Sequence, residues 1–215
     1  MLTRRMANSG LIGAALLAAA PALGAETERT LPPPQTDGGK PLMEALKLRH
    51  STREYADRAL PDQVLSNLLW AAYGINRPSG DRTAPYWRHI MAIDVYAAMA
   101  DGLWLYDPKR HLLVRRSSSD LRKETGLQEF VAQAPLNLVY VAHGDRMREV
   151  PAEARRLFAG VDTGFIGQNV YLCCASEGLA TVFRASIDYE KLKSAMGLAR
   201  DDFVTFAQSV GYPRG

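Results

Sequence analysis

Residues Leu136–Ala142 read LNLVYVA, and residues 151–178 read PAEARRLFAGVDTGFIGQNVYLCCASEG. The first stretch is short, uncharged and rich in residues that fit a pleated surface, so it predicts a core strand. The second predicts a long helix. Residues 165–175 are apolar nearly all round, which predicts a buried central helix. A strand followed by a long helix sets the frame, and the flanking segments fill it.

Towards the C-terminus, residues 181–184 predict a strand, 188–196 a helix and 203–210 a final strand. Towards the N-terminus, residues 119–132 predict a helix broken near Gly126. Residues 103–106 and 111–114 flank the turn Asp107-Pro108-Lys109-Arg110 and predict a hairpin. Residues 90–97 predict a strand, 76–85 a loop, 62–73 a helix stopped by Gly74, and 41–48 a shorter helix. No repeat is visible. The fold class is α+β, a mostly antiparallel sheet with helices packed on it.

The chain has 215 residues, 47% of them hydrophobic and 23% charged, with a net charge of +3. That balance fits one globular domain and excludes fibrous or wholly disordered classes. Residues 1–25 carry Arg4 and Arg5, a short apolar run from Leu11 to Ala20, and small residues at Gly24 and Ala25. This is the pattern of a secretory signal, too short in its apolar part to span a bilayer as a mature helix. It predicts a periplasmic or secreted protein without stable membrane insertion. The twin arginines leave the twin-arginine and general export routes both open. Two arginines and no acid lie in residues 1–25, so their removal takes the charge from +3 to +1. Nucleic acid is not the expected partner of so small an excess. Residues 26–40, with three prolines and two glycines, read as a flexible tail, and residues 41–215 as the folded domain.

The four histidines lack metal-ligand spacing, and no phosphate loop, nucleophile elbow or dinucleotide fingerprint occurs. Cys173 and Cys174 are adjacent on a helix, pointing about 100° apart. They read as buried free thiols, with a redox pair as the alternative. Arg49-His50-Ser51-Thr52-Arg53 places two guanidinium groups, an imidazole and two hydroxyls in five residues. Such a set can neutralise and hydrogen-bond a phosphate monoester. By composition alone a solvated basic turn is the favoured reading.

Arg49-His50-Ser51-Thr52-Arg53-Glu54-Tyr55 resembles the opening motif of the nitroreductase family of flavin-dependent oxidoreductases. Residues 68–77 (LLWAAYGINR) resemble the second helix of one branch, and Arg82-Thr83-Ala84-Pro85 the start of its flavin loop. Further similar segments follow in order: QEFVAQAP at 128–135, Asp162-Thr163-Gly164, Gln168 to Leu172, Glu177 to Thr181, and Val210-Gly211-Tyr212-Pro213.

The resemblance implies an α+β homodimer binding FMN at the subunit interface. It implies electron transfer from NAD(P)H or another donor to a nitro, quinone or similar small-molecule acceptor, with the flavin carrying the chemistry. On these positions, Arg49, His50, Ser51 and Arg53 would hold the FMN phosphate end. Gln128 would read the polar edge of the ring, and Arg184, Ala185 and Ser186 would form the backbone turn beside its reactive nitrogen. Arg214 would add a phosphate contact. The family loop commonly reads P-S-x-x-N, whereas this chain has Pro85, Tyr86, Trp87, Arg88 and His89. These residues would cover the flavin of the partner subunit, narrow the substrate pocket, or impair FMN binding. Two further readings follow from the altered loop and the basic segment: a flavin-binding module without turnover, and a cofactor-free dimeric scaffold.

Overall fold

The computed structural model describes residues 28–215. The expected export signal lies outside the described residues. The described residues build seven strands and five helices: β1 (Glu28–Thr30), α1 (Leu42–Leu48), α2 (Asp62–Tyr73), β2 (Ile93–Met99), β3 (Gly102–Asp107), β4 (Leu112–Ser117), α3 (Phe130–Gln133), β5 (Leu136–Ala142), α4 (Ala152–Glu177), β6 (Ala180–Arg184), α5 (Tyr189–Ala195) and β7 (Phe203–Gly211).

The strands form one sheet in the order β1-β4-β3-β2-β5-β7-β6, and every pair is antiparallel. β5 lies between β2 and β7 and is buried along its whole length, as its uncharged sequence requires. On one face, α2 and α4 cover Val95, Tyr106, Leu138 and Tyr140. On the other face, a smaller core gathers Tyr96, Leu103, Val139, Val141 and Leu192. Gly178 closes α4 at φ 70°, a left-handed position that glycine takes without penalty.

Four expectations change. The tail over residues 26–40 is not free where it is described. β1 pairs with β4, Leu31 is only 4% exposed in the main core, and the Ser66 hydroxyl donates to the Pro32 carbonyl at 2.6 Å. β2 begins at Ile93, later than expected, because tight turns from Ile90 N to Trp87 O and from Ala92 N to Ile90 O keep residues 90–92 out of the ladder. Residues 165–175 are not buried all round. Ile166, Val170 and Cys174 face the core, whereas Phe165 is 45% exposed.

Residues 119–132 hold only a turn of 3₁₀ helix over Arg122–Thr125 and the short α3. Their backbone bonds run sideways: the Leu127 N–H donates to Ser186 O, and Thr125 O accepts from Arg184. Cys173 and Cys174 are free thiols, and burial pushes Cys173 up to about 12 and Cys174 well above its ordinary value. His143 lies between Asp94 and Asp202, its two ring nitrogens 2.8 and 3.0 Å from their carboxylate oxygens. With Asp145 and Asp202 it forms a group compact enough for a metal. However, both ring nitrogens already face carboxylates, an arrangement suited to an imidazolium.

Candidate functional site

The segment Arg49 to Tyr55 leaves α1 and runs beside β6. The Thr52 N–H donates to Thr181 O at 2.9 Å, and Tyr55 forms a β-bridge with Pro213. The Ala56 N–H donates to Tyr212 O and the Arg214 N–H to Glu54 O, so the C-terminus lies along the same segment. The fully buried Tyr55 ring anchors it, packing against Phe130. Four parts of the chain, far apart in sequence, thus meet at the β6 edge.

Ser51 is exposed, and its hydroxyl lies 2.7 Å from that of Tyr171 on α4. Tyr171 also accepts the Phe183 N–H at 2.9 Å, and the Arg49 guanidinium lies 5.3 Å from its ring centroid. Among the described residues, neither Arg49 nor Arg53 has a carboxylate partner. His50 is exposed, with its Nδ1 2.7 Å from Leu48 O. The segment therefore offers cationic and hydroxyl groups to solvent, on a backbone fixed by β6 and the C-terminus. Among the described residues, the Arg214 side chain makes only a long contact, 3.5 Å to Gln133.

Gln128 and the turn at residues 184–186 come together through the bond between Leu127 N and Ser186 O. The Gln128 Oε1 is buried and lacks a hydrogen-bond partner among the described residues. A buried carbonyl oxygen left alone is costly, so this atom is suited to a ligand donor. Ala185 is exposed beside it, and its carbonyl accepts from Ile187 N.

The Arg184 backbone ends β6 at the expected turn, but its side chain leaves it. Its guanidinium turns inward, 6% exposed, and binds Thr125 O, Thr125 Oγ1, Asn137 Oδ1 and Ser209 Oγ. All four are neutral acceptors, and burial pushes Arg184 down to about 10. Gly126 permits this: a Cβ there would fall 2.3 Å from Arg184 Nη1. Arg184 thus fastens the loop carrying Gln128 to β6 and presents no charge towards a ligand at the turn.

The loop at 85–89 lies elsewhere in the same chain. The Trp87 ring stacks on Phe158 of α4 at 3.9 Å, and the Trp87 main-chain N–H donates to the buried Asp162 at 3.0 Å. The Tyr86 hydroxyl donates to Asp81, while its ring meets Tyr73 and His89 edge-on. Pro85 and His89 are exposed, and Arg88 and His89 adopt φ of 49° and 59°. Asp162 and Tyr171 stand nine residues apart on α4, about 14 Å along the helix axis. Within one chain, Tyr86 and Trp87 therefore do not join Arg49 and Ser51.

The family resemblance covers Asp162 and Tyr171 but gives them no contact, and the inward turn of Arg184 has no local signal. Tyr171 lies 120 residues from Ser51, and no local pattern signals such a pair. A separate cavity of about 540 Å³ lies between residues 35–39, α2 and α4, and is lined by none of the expected site residues.

The sequence pattern of the Nitroreductase family matches residues 46–212. A Methanocaldococcus jannaschii protein provisionally named a nitroreductase is 32% identical over 151 residues, covering 66% of this chain and 76% of its own. A crystal structure from Ralstonia eutropha JMP134, of a protein likewise provisionally named, superposes with a TM-score of 0.84 at 43% identity, covering 87% of this chain and 90% of that one. At 19% identity, the NADPH:FMN oxidoreductase of Vibrio harveyi in complex with NAD+ shares the fold, with a TM-score of 0.60 over 81% of this chain and 69% of that one.

Proposed function

Because the chain belongs to the nitroreductase family, we propose that it is an FMN-dependent oxidoreductase that takes electrons from NAD(P)H or another donor and passes them to a nitro, quinone or similar acceptor. The observation that carries this reading is the pair Arg49 and Arg53. They flank an exposed Ser51 without carboxylate partners, on a segment bonded to β6 and the C-terminus. Flavin, when bound, supplies the hydride acceptor and donor. Arg49 and Arg53 would neutralise its phosphate, with Ser51 donating a hydrogen bond. Gln128 Oε1, buried and unpartnered, would accept from the ring edge, and the main chain at residues 185–186 would approach it from β6. Holding the reactants in register is most of what such a site must do.

A homodimer is part of the proposal. Leu157, Val161 and Phe165 stand one turn apart on α4 and are exposed, and α1 exposes Leu42, Met43 and Leu46. Covering these exposed apolar side chains favours association. A second subunit would also supply the Tyr86–His89 loop that one chain keeps away from Arg49. Export is proposed on residues 1–25 alone, and cell fractionation with detection of the processed N-terminus tests it.

The absorption spectrum of the purified chain after FMN addition tests the main reading, followed by anaerobic titration with NADH and NADPH. A bound yellow flavin bleached by either nicotinamide is expected. Colourless protein that takes up no FMN overturns the reading. Bound flavin bleached by dithionite, but by neither nicotinamide, redirects it to another donor or to a binding module without turnover.

A further inference from the structure

Arg82 is a buried cation with no carboxylate partner among the described residues. The residue is only 8% exposed, and its Nε and Nη1 are both buried without a hydrogen-bond partner. Its contact is with the Tyr73 ring, whose centroid lies 5.3 Å from the guanidinium carbon. The Tyr73 hydroxyl is also buried and unpartnered. A ring face offsets part of a cation's desolvation but accepts none of its N–H bonds in the plane. A buried guanidinium ordinarily has carboxylate or carbonyl partners, as Arg184 has neutral ones.

Arg82 also lines a cavity of about 440 Å³. The cavity's floor includes Leu105 and Val114, directly paired across β3 and β4, on the sheet face turned away from α4. Its wall carries Lys109, Arg116 and Arg146. Two carboxylates are present, and both are already engaged. Asp94 binds Arg146 at 2.7 and 2.9 Å and faces His143 at 2.8 Å. Asp107 binds the Arg110 side chain and accepts from the Lys109 and Arg110 N–H groups. The cavity thus combines a net positive wall, an apolar floor and a buried cation with donors to spare.

We propose that this cavity binds an organic anion, its carboxylate or phosphoryl group held by Arg82 and its apolar body resting on Leu105 and Val114. Arg82 supplies paired N–H donors in the planar geometry such groups accept. Lys109, on the exposed turn between β3 and β4, supplies a second cation at the rim. The site lies over β2 to β4, three strand spacings from β6 and hence about 14 Å across the sheet from the Arg49 segment. It stands whether or not the chain binds flavin.

Isothermal titration of the full chain, saturated with FMN, with benzoate, benzyl alcohol and inorganic phosphate tests the site. Benzoate is expected to bind one per chain and benzyl alcohol at least tenfold more weakly. Arg82→Gln should weaken benzoate at least tenfold. Lys109→Gln, an exposed change that leaves the core intact, should weaken it a few-fold, and decides the matter if the Arg82 variant does not fold. Phosphate binding in place of benzoate, with the same dependence on Arg82 or Lys109, retains the site and assigns phosphoryl groups to it. Failure of both anions to bind overturns the proposal. So does benzoate binding unchanged in both variants, or binding abolished by Arg49→Ala, which would place it in the flavin segment.

Discussion

The Ser51 hydroxyl lies 2.7 Å from the Tyr171 hydroxyl, and the same Tyr171 oxygen accepts the Phe183 N–H at 2.9 Å. This contact fixes proton direction once an anion is present. A phosphate oxygen accepts the hydrogen bond from the Ser51 hydroxyl, so Tyr171 is left to donate to Ser51 Oγ. Tyr171→Phe should therefore weaken FMN about fivefold, the effect of one neutral hydrogen bond. Riboflavin, lacking the phosphate, should bind as before. Fluorescence titration with both flavins checks this, and an equal loss for both would show general loosening and reject the assignment.

Arg184 spans Thr125, Asn137 and Ser209, three residues from separate elements. Arg184→Met keeps much of the volume but strands these acceptors in a buried place. A loss of about 2 to 4 kcal/mol is expected, read from urea denaturation. In protein that remains folded, the Gln128 loop should also loosen, seen as faster amide exchange at Leu127. Retained stability would show that the network contributes little.

What was legible in the sequence was what local pattern encodes. α2 and β5 run over the expected residues because each carries its own period and its own stop. The Arg49 segment was legible because its donors are adjacent in sequence. β1 was not: Glu28-Arg29-Thr30 has no apolar alternation, and its partner β4 is some eighty residues away. Residues 165–175 looked buried because composition cannot say which side of a helix meets a second surface. The inward turn of the Arg184 side chain was not legible, because the groups that satisfy it, on Thr125, Asn137 and Ser209, come from three distant elements.

Asp162 accepts the Trp87 N–H from inside α4, and burial lifts its carboxyl from 3.8 to about 6, the N–H offsetting only part of that rise. The folded carboxyl therefore holds a proton that the unfolded one has lost. Stability falls as pH rises from about 4 to about 6, and the deficit is complete above that. Two pH units correspond to about 3 kcal/mol at most. Asp162→Asn keeps an acceptor for Trp87 without the charge. It should raise the urea midpoint at pH 7.5, with the gain vanishing near pH 4. No gain at pH 7.5 would reject a charged, costly Asp162.

His143 joins the ends of β2 and β5 to the residues before β7 through Asp94 and Asp202. Burial opposes its charge, but Asp94 outweighs burial and raises His143 above 6.5. Burial likewise opposes the Asp94 charge, but His143 and Arg146 outweigh it and lower Asp94 from 3.8 to about 2. The two signs differ. The Asp94 contribution is present above about 4 and is lost as pH falls towards 2. The His143 contribution is present below about 6.5 and is lost as pH rises through its raised folded value. His143→Gln, which can still hydrogen-bond but carries no charge, should be most destabilised relative to the unaltered chain between about pH 4 and 6.5. The gap should narrow on both sides, and a gap independent of pH, measured by urea denaturation across that range, would show that His143 is held there as a neutral ring.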